Sequence, residues 1–249
     1  MKKIVLITGA SGGVGSALAE KLNSEGSSLV LLGRDINKLN NLNDKLGGRH
    51  FVIEGNVTNP EDCERMITEI QNEYGTPNAL AHCVGSIKLG SIHRMSIFDL
   101  QDCLTINLMS ALYISKSFVG NLIKNQQKGS CVFVSSIAAQ IGTPNHEAIA
   151  AAKGGIESFC KAAAATYSIY GIRFNAVAPG LMETPASSKI ISSPLAREVA
   201  AKQYPLGGIG SPEELSELIA WLLSEKASRV TGQTWNLDGG FTAVRPLVK

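Results

Sequence analysis

The sequence has no apolar run long enough to cross a bilayer, which takes ~20 residues. Met1-Lys2-Lys3 ahead of Ile4-Val5-Leu6-Ile7 has the order of a secretion signal. That apolar stretch is too short, however, and glycines interrupt it at once. An excess of one charge is also missing, since 23 Lys and Arg against 21 Asp and Glu leave a net +2. No basic stripe carries interleaved aromatics, so neither nucleic acid nor a membrane is an expected partner. Cysteines are few and scattered: Cys63, Cys83, Cys103, Cys131 and Cys160 show no disulfide or metal spacing. Reduced thiols in a soluble cytoplasmic protein are the expectation. There is no repeat, low-complexity tract or linker. What remains is 249 residues, 44% hydrophobic with 25 glycines, enough for a single domain over 1–249 with a substantial core.

Apolar runs rich in Val, Ile and Leu alternate with segments of helical period. Strands are expected at Lys3 to Thr8, Ser28 to Leu32, His50 to Glu54, Ala79 to Val84, Cys131 to Ser135, Ile172 to Ala178 and Thr234 to Leu237. Helices are expected at Val14 to Glu25, Ile36 to Leu46, Pro60 to Tyr74, Ser96 to Asn125 (unbroken), His146 to Tyr170, Leu195 to Lys202 and Pro212 to Leu223. Strands without polar alternation, separated by helices, predict a parallel sheet buried on both faces. The fold class is α/β, a Rossmann-like doubly wound sheet with helices on both faces. Gly180 to Pro194 reads as a mobile loop opening a substrate-side segment over about 180–205.

The first strand ends in Thr8-Gly9-Ala10-Ser11-Gly12-Gly13-Val14-Gly15, which opens the first helix. Glycines there let the backbone approach a pyrophosphate, and the helix N-terminus offers N–H groups and a positive dipole end. A strand before and a helix after are the context that turns a glycine cluster into a dinucleotide motif. The acid that would hold a free ribose 2′-OH belongs at the end of the second strand. Arg34 stands there, and a guanidinium pairs with a 2′-phosphate. NADP(H) is favoured, while Asp35 next door leaves NAD(H) open.

The stretch Ser135 to Lys153 carries the candidate chemistry, with Ser136 at one end and Lys153 at the other. With these motifs in place the chain resembles the short-chain dehydrogenase/reductase family along essentially its whole length. Thr8-Gly9 with Gly13 and Gly15, Asn107, Ser136, Lys153, Pro179-Gly180 with Thr184, Thr231-Gly232-Gln233 and Asp238-Gly239-Gly240 carry the likeness. The resemblance implies that Gly9, Ser11, Gly13, Val14, Gly15, Asn56, Val57, Gly85, Lys153, Pro179, Gly180 and Thr184 surround the cofactor. It implies that Ser136 holds a substrate carbonyl and that Asn107 ties Lys153 to a proton-relay water. It also implies a homodimer or homotetramer acting on a small-molecule substrate.

Three departures stand out. Asn56 replaces the usual aspartate after the third strand. His82-Cys83-Val84-Gly85 replaces Asn-Asn-Ala-Gly, so the bracing asparagines are gone, and His82 reads as a hydrogen-bonded structural residue. Ile149 stands where the family has its acid, the tyrosine four residues before the lysine, and isoleucine cannot donate a proton. Tyr204 falls in the substrate-side segment, where it can line a pocket. His146, seven residues before Lys153, shares a helical face with positions 149, 150 and 153. It is a candidate stand-in donor, and a neutral imidazole still offers one N–H. The other reading of His146 is a structural residue at the helix start. Two functions follow: an NADP(H)-dependent carbonyl–alcohol oxidoreductase on a partly apolar substrate, or a catalytically inactive cofactor-binding subunit acting as sensor or hetero-oligomer partner.

Overall fold

The computed structural model describes residues 3–245. Seven strands form one parallel sheet: β1 (Ile4–Thr8), β2 (Ser28–Gly33), β3 (Phe51–Glu54), β4 (Ala79–His82), β5 (Gly129–Val134), β6 (Ile172–Pro179) and β7 (Thr234–Leu237), in the spatial order β3-β2-β1-β4-β5-β6-β7. β2 and β4 are buried along their whole length, as expected of strands covered on both faces.

Two cores flank the sheet. On one face α3 (Pro60–Glu73), α5 (Ser110–Lys124) and α6 (Glu147–Tyr167) bury Met66, Phe118, Leu122 and Ile156 against Leu6, Phe133 and Phe174. On the other, α1 (Gly13–Ser24), α2 (Ile36–Lys45) and α8 (Pro212–Leu223) bury Leu18, Leu22, Leu39 and Ile219 against Ile7, Leu31 and Val177. A small third cluster lies apart from the sheet. There Cys103 of α4 (Ile97–Leu104) meets Ala148 and Ile149 of α6. A further helix, α7 (Pro194–Ala201), stands on the segment after β6. Among the described residues no helix is long and apolar enough to cross a membrane.

The expected unbroken helix from Ser96 to Asn125 is interrupted. A π-helical turn, Thr105–Met109, separates α4 from α5. Asn107 Nδ2 donates to the Cys103 carbonyl (3.0 Å) and Ser110 Oγ to the Ile106 carbonyl (2.6 Å). Both are side-chain bonds back to i−4 carbonyls at the turn.

Candidate active site

In a doubly wound sheet, ligands bind beyond the carboxyl ends of the strands, where strand order reverses. That point lies between β1 and β4, so the candidate residues converge beyond Thr8, His82 and Val134.

The glycine loop fits a dinucleotide. Gly9 has φ +69°, and a Cβ there would sit 3.2 Å from the Cys83 carbonyl. A Cβ on Gly15 would run into the Gly9 carbonyl and lie 2.9 Å from Ala10 Cα. Five helices, α2, α3, α4, α7 and α8, carry a side-chain N-cap, from Asp35, Asn59, Ser96, Ser193 and Ser211. α1 begins after Gly12 with none, so its first N–H groups are free to face an anion. Thr184 packs against Gly13, where an added Cβ would lie 3.1 Å from the threonine Cβ.

Arg34 is exposed and makes no hydrogen bond or ion pair among the described residues. Asp35 is committed elsewhere. It caps α2 by accepting from Lys38 N (3.1 Å) and pairs with Lys38 Nζ (3.4 Å). Asn56 Oδ1 accepts from the Thr58 amide and hydroxyl (3.1 and 2.9 Å), which leaves its Nδ2 for another acceptor. The Val57 side chain is buried in the core, so only its backbone can face a ligand.

His82 replaces the missing bracing. Ser110 Oγ donates to the Ile106 carbonyl and therefore accepts from His82 Nε2–H (3.1 Å). The unprotonated Nδ1 in turn accepts from Thr8 Oγ1 (2.9 Å). One ring thus joins β1, β4 and α5. Burial, aided by the Lys153 charge, pushes its pKa down to about 3, so it is a neutral strut.

Lys153 is buried and donates to the Val134 carbonyl at 2.8 Å. Burial pulls its pKa down to about 8. Asn107 is also buried. Its Oδ1 accepts from Ser86 N (3.0 Å), and its Nδ2 donates to Ser86 Oγ (3.2 Å) as well as to Cys103 O. A Cβ on Gly85 would lie 3.1 Å from Asn107 Oδ1 and 3.4 Å from Lys153 Nζ. The lysine and the asparagine therefore converge on one face of Gly85. An ammonium with three N–H donors and one protein acceptor has capacity left for ribose hydroxyls or water.

Ser136 follows β5 in extended conformation, and its Oγ accepts from Ala138 N (3.2 Å), opening a 3₁₀ turn. With an acceptor position used, its O–H remains to donate to a carbonyl oxygen. Ile149 is 6% exposed and packs with Ala148, Cys103, Met95 and Leu100. The position four residues before Lys153 is filled with hydrocarbon.

His146 is not the first helical residue. It is the residue before α6, with φ −108° and ψ 13°. Its Nδ1 lies 2.7 Å from the Pro144 carbonyl. A carbonyl only accepts, so Nδ1 carries a proton, and Nε2 of the neutral ring is an acceptor. The single N–H expected for polarising a substrate is therefore already spent.

The segment after β6 is built rather than featureless. It holds a 3₁₀ turn (Pro185–Ser187) and α7, and Arg197 of α7 pairs with Glu183. Tyr204 lines a cavity of about 410 Å³ with Leu181, Met182 and Asp238. Its hydroxyl accepts from Leu181 N (2.7 Å), and its ring lies 5.3 Å from that of Phe241. It supports the Gly180 turn. A larger cavity, about 830 Å³, lies at the opposite end of the strands, by the amino ends of β1, β4, β5 and β6, around Lys3, Asn78, Gly129 and Arg173. It is remote from this chemistry.

The sequence reasoning missed Ser110, Cys103 and Val134. Ser110 and Val134 act through contacts distant in the chain, Cys103 through its carbonyl to Asn107 four residues on and its packing on Ile149, and none carries a motif.

Residues 9–242 match the family model described as Enoyl-(Acyl carrier protein) reductase. The 3-oxoacyl-[acyl-carrier-protein] reductase FabG of Salmonella typhimurium is 31% identical over 242 residues, covering 97% of this chain and 98% of that one. The FabG of Thermotoga maritima is 32% identical over 241 residues, covering 96% and 97%. Among solved structures, aldohexose dehydrogenase of Thermoplasma acidophilum in ligand-free form superposes with a TM-score of 0.88 at 30% identity, covering 100% of this chain and 97% of that one. A short-chain type dehydrogenase/reductase from Mycobacterium ulcerans does so with 0.91 at 26%, covering 98% and 90%. The glycine loop, the serine and the lysine lie at the ends of the strands where such a fold binds its ligands, and the chain belongs to the short-chain dehydrogenase/reductase family.

Proposed function

We propose that this protein is an NADP(H)-dependent oxidoreductase that interconverts a carbonyl and an alcohol without the family's tyrosine. The observation that carries this reading is the buried Lys153 ammonium, with a pKa near 8, next to Asn107 and Gly85. The bound nicotinamide supplies or accepts the hydride. The chain's own residues bind, orient and move the proton. Ser136 O–H fixes the substrate oxygen. Lys153, held by Val134 O, binds the ribose and is the proton source, delivering through water to that oxygen. His146 is the less suitable donor, because its Nε2 donates only when the ring is charged.

Arg34, unpaired, and Asp35, engaged in capping, support NADP(H) over NAD(H). Gly9, Ser11, Gly13, Val14, Gly15, Asn56, Val57, Gly85, Pro179, Gly180 and Thr184 complete the cofactor site. The substrate is partly apolar. Exposed Ile87, Leu89 and Ile92 follow β4, and Ile190, Leu195 and Val199 follow β6. Its five free cysteines suit a cytoplasmic protein, and a homodimer or homotetramer is the expected assembly.

A second reading, an inactive cofactor-binding subunit, is favoured by one observation, the apolar nest of Ile149. NADPH oxidation over a panel of ketones and aldehydes separates the two. Turnover by the wild type supports the enzyme. Tight NADPH binding without turnover, with activity appearing only in Ile149→Tyr, sinks it.

A further inference from the structure

We propose that Glu157 is a positioning residue for Ser136, acting through the two residues that bracket the serine turn. Glu157 lies on α6 one helical turn beyond Lys153. Its Oε1 accepts from Ser135 Oγ at 2.9 Å and from Gln140 Nε2 at 3.0 Å. Ser135 immediately precedes Ser136 and is buried, and its hydroxyl also lies 3.3 Å from the Lys153 carbonyl. Gln140 closes the 3₁₀ turn that Ser136 opens. One carboxylate oxygen therefore ties both ends of a six-residue segment to the helix that carries Lys153.

The arrangement has a chemical purpose. Nothing in the serine turn itself fixes where the Ser136 hydroxyl points beyond its single bond from Ala138 N. A carboxylate acceptor makes stronger hydrogen bonds than a neutral one, and two donors converging on one oxygen fix the turn by two points. Productive orientation of a reacting oxygen tolerates little displacement, and the family's tyrosine is not there to share that task. Gln140 is itself held from the far side. Asn236 Nδ2 donates to its Oε1 (2.7 Å) and to Thr242 Oγ1 (2.8 Å), and Thr242 Oγ1 donates to Asp238 Oδ2 (2.6 Å). Asp238 also lines the cavity beside Tyr204. The clamp thus reaches from the serine turn to the substrate-side segment through β7.

This inference rests on the proposed oxidoreductase reading for its purpose, but its geometry is tested without turnover. Amide hydrogen exchange is measured on wild type, Glu157→Leu and Glu157→Gln, alongside NADPH titration and turnover of any carbonyl the panel yields. Glu157→Leu is expected to speed exchange over residues 135–141 about tenfold, the order of a lost charge-assisted hydrogen bond. Residues 8–16 and NADPH affinity should stay as in wild type. Glu157→Gln keeps an acceptor oxygen and is expected to restore protection. With a turned-over substrate, kcat falls in Glu157→Leu while KM holds. Unchanged exchange in Glu157→Leu overturns the proposal. So does equal loosening in both variants, or a loosened turn with unchanged kcat. Absent NADPH binding in the wild type would refute the oxidoreductase reading, and a loosened turn rescued by Glu157→Gln would still support the clamp.

Discussion

The nucleotide-facing half of the cleft and the half that should carry the acid differ in what has been kept. Around Gly9, Gly15 and Arg34 every feature suits a dinucleotide: no room for a Cβ at Gly15, an uncapped helix start, an unpaired guanidinium. Around Ile149, four residues before Lys153, there is hydrocarbon packing against Cys103, Met95 and Leu100. Between the two stand Lys153 and Asn107, buried and tied to fixed acceptors and donors. Keeping a half-satisfied ammonium out of water opposes folding, whereas an apolar residue there would not. A buried ammonium is therefore kept beside Gly85 at a cost in stability, while position 149 is apolar and carries none.

The largest expected effect breaks this contrast directly. A positioned general acid contributes ~10²–10⁴-fold, so Ile149→Tyr should raise NADPH oxidation by about that factor on a substrate the wild type turns over slowly. A rate within twofold of wild type would show that the nest does not open to the substrate. Next is Gly15→Val, whose side chain must enter the space of the Gly9 carbonyl. It should lower NADPH affinity by about 100-fold or more and cost roughly 1–3 kcal/mol of stability, read by titration and urea unfolding. Arg34→Ser should narrow the preference for NADPH over NADH by about 10-fold, the scale of one charge-assisted hydrogen bond.

Two pH effects sharpen the middle of the comparison. Lys153 has a folded pKa near 8 against an unfolded value of ~10.4. Between these the unfolded chain binds more protons, so stability rises with pH across that window. Wild type should gain stability from pH 8 to 10 relative to Lys153→Met, which should be the more stable protein at pH 7 and should bind NADPH more weakly. His82 has a folded pKa of about 3 against ~6.5 unfolded. Again the unfolded chain holds more protons in between, so stability is lost as pH falls from 6.5 toward 3. His82→Asn should flatten that acid limb in urea titrations from pH 7 to 4. An unchanged slope would show that His82 is not the sensor.

Much of this was legible in the sequence because it rests on local pattern. Runs such as Leu29–Leu32 are apolar throughout, as a strand covered on both faces requires. The glycine loop announces itself between a strand and a helix, and the isoleucine at position 149 is found by counting back from Lys153. What stayed hidden depends on partners far apart. His82 meets Thr8 from 74 residues away and Ser110 from 28, so its bracing role has no local signature. The π-helical turn leaves the apolar spacing nearly helical, so it leaves no mark in the pattern. His146 was placed on a helical face by spacing, whereas a bond to the Pro144 carbonyl turned its one neutral N–H away from that task.

That widened turn at Thr105–Met109 has a consequence of phase. An α-helix advances about 100° per residue, and a turn that holds one residue more than usual absorbs that angle. The segments on either side then address different neighbours. Cys103 looks toward Ile149 of α6, while Phe118 and Leu122 look toward the sheet. Asn107 sits at the joint. Winding the same residues as a regular α-helix would swing α4 by roughly 100°, carrying Cys103 off Ile149 and Asp99 off Lys88, with which it pairs at 2.6 Å. The substrate side of the cleft is thus indexed to the sheet by a single supernumerary residue.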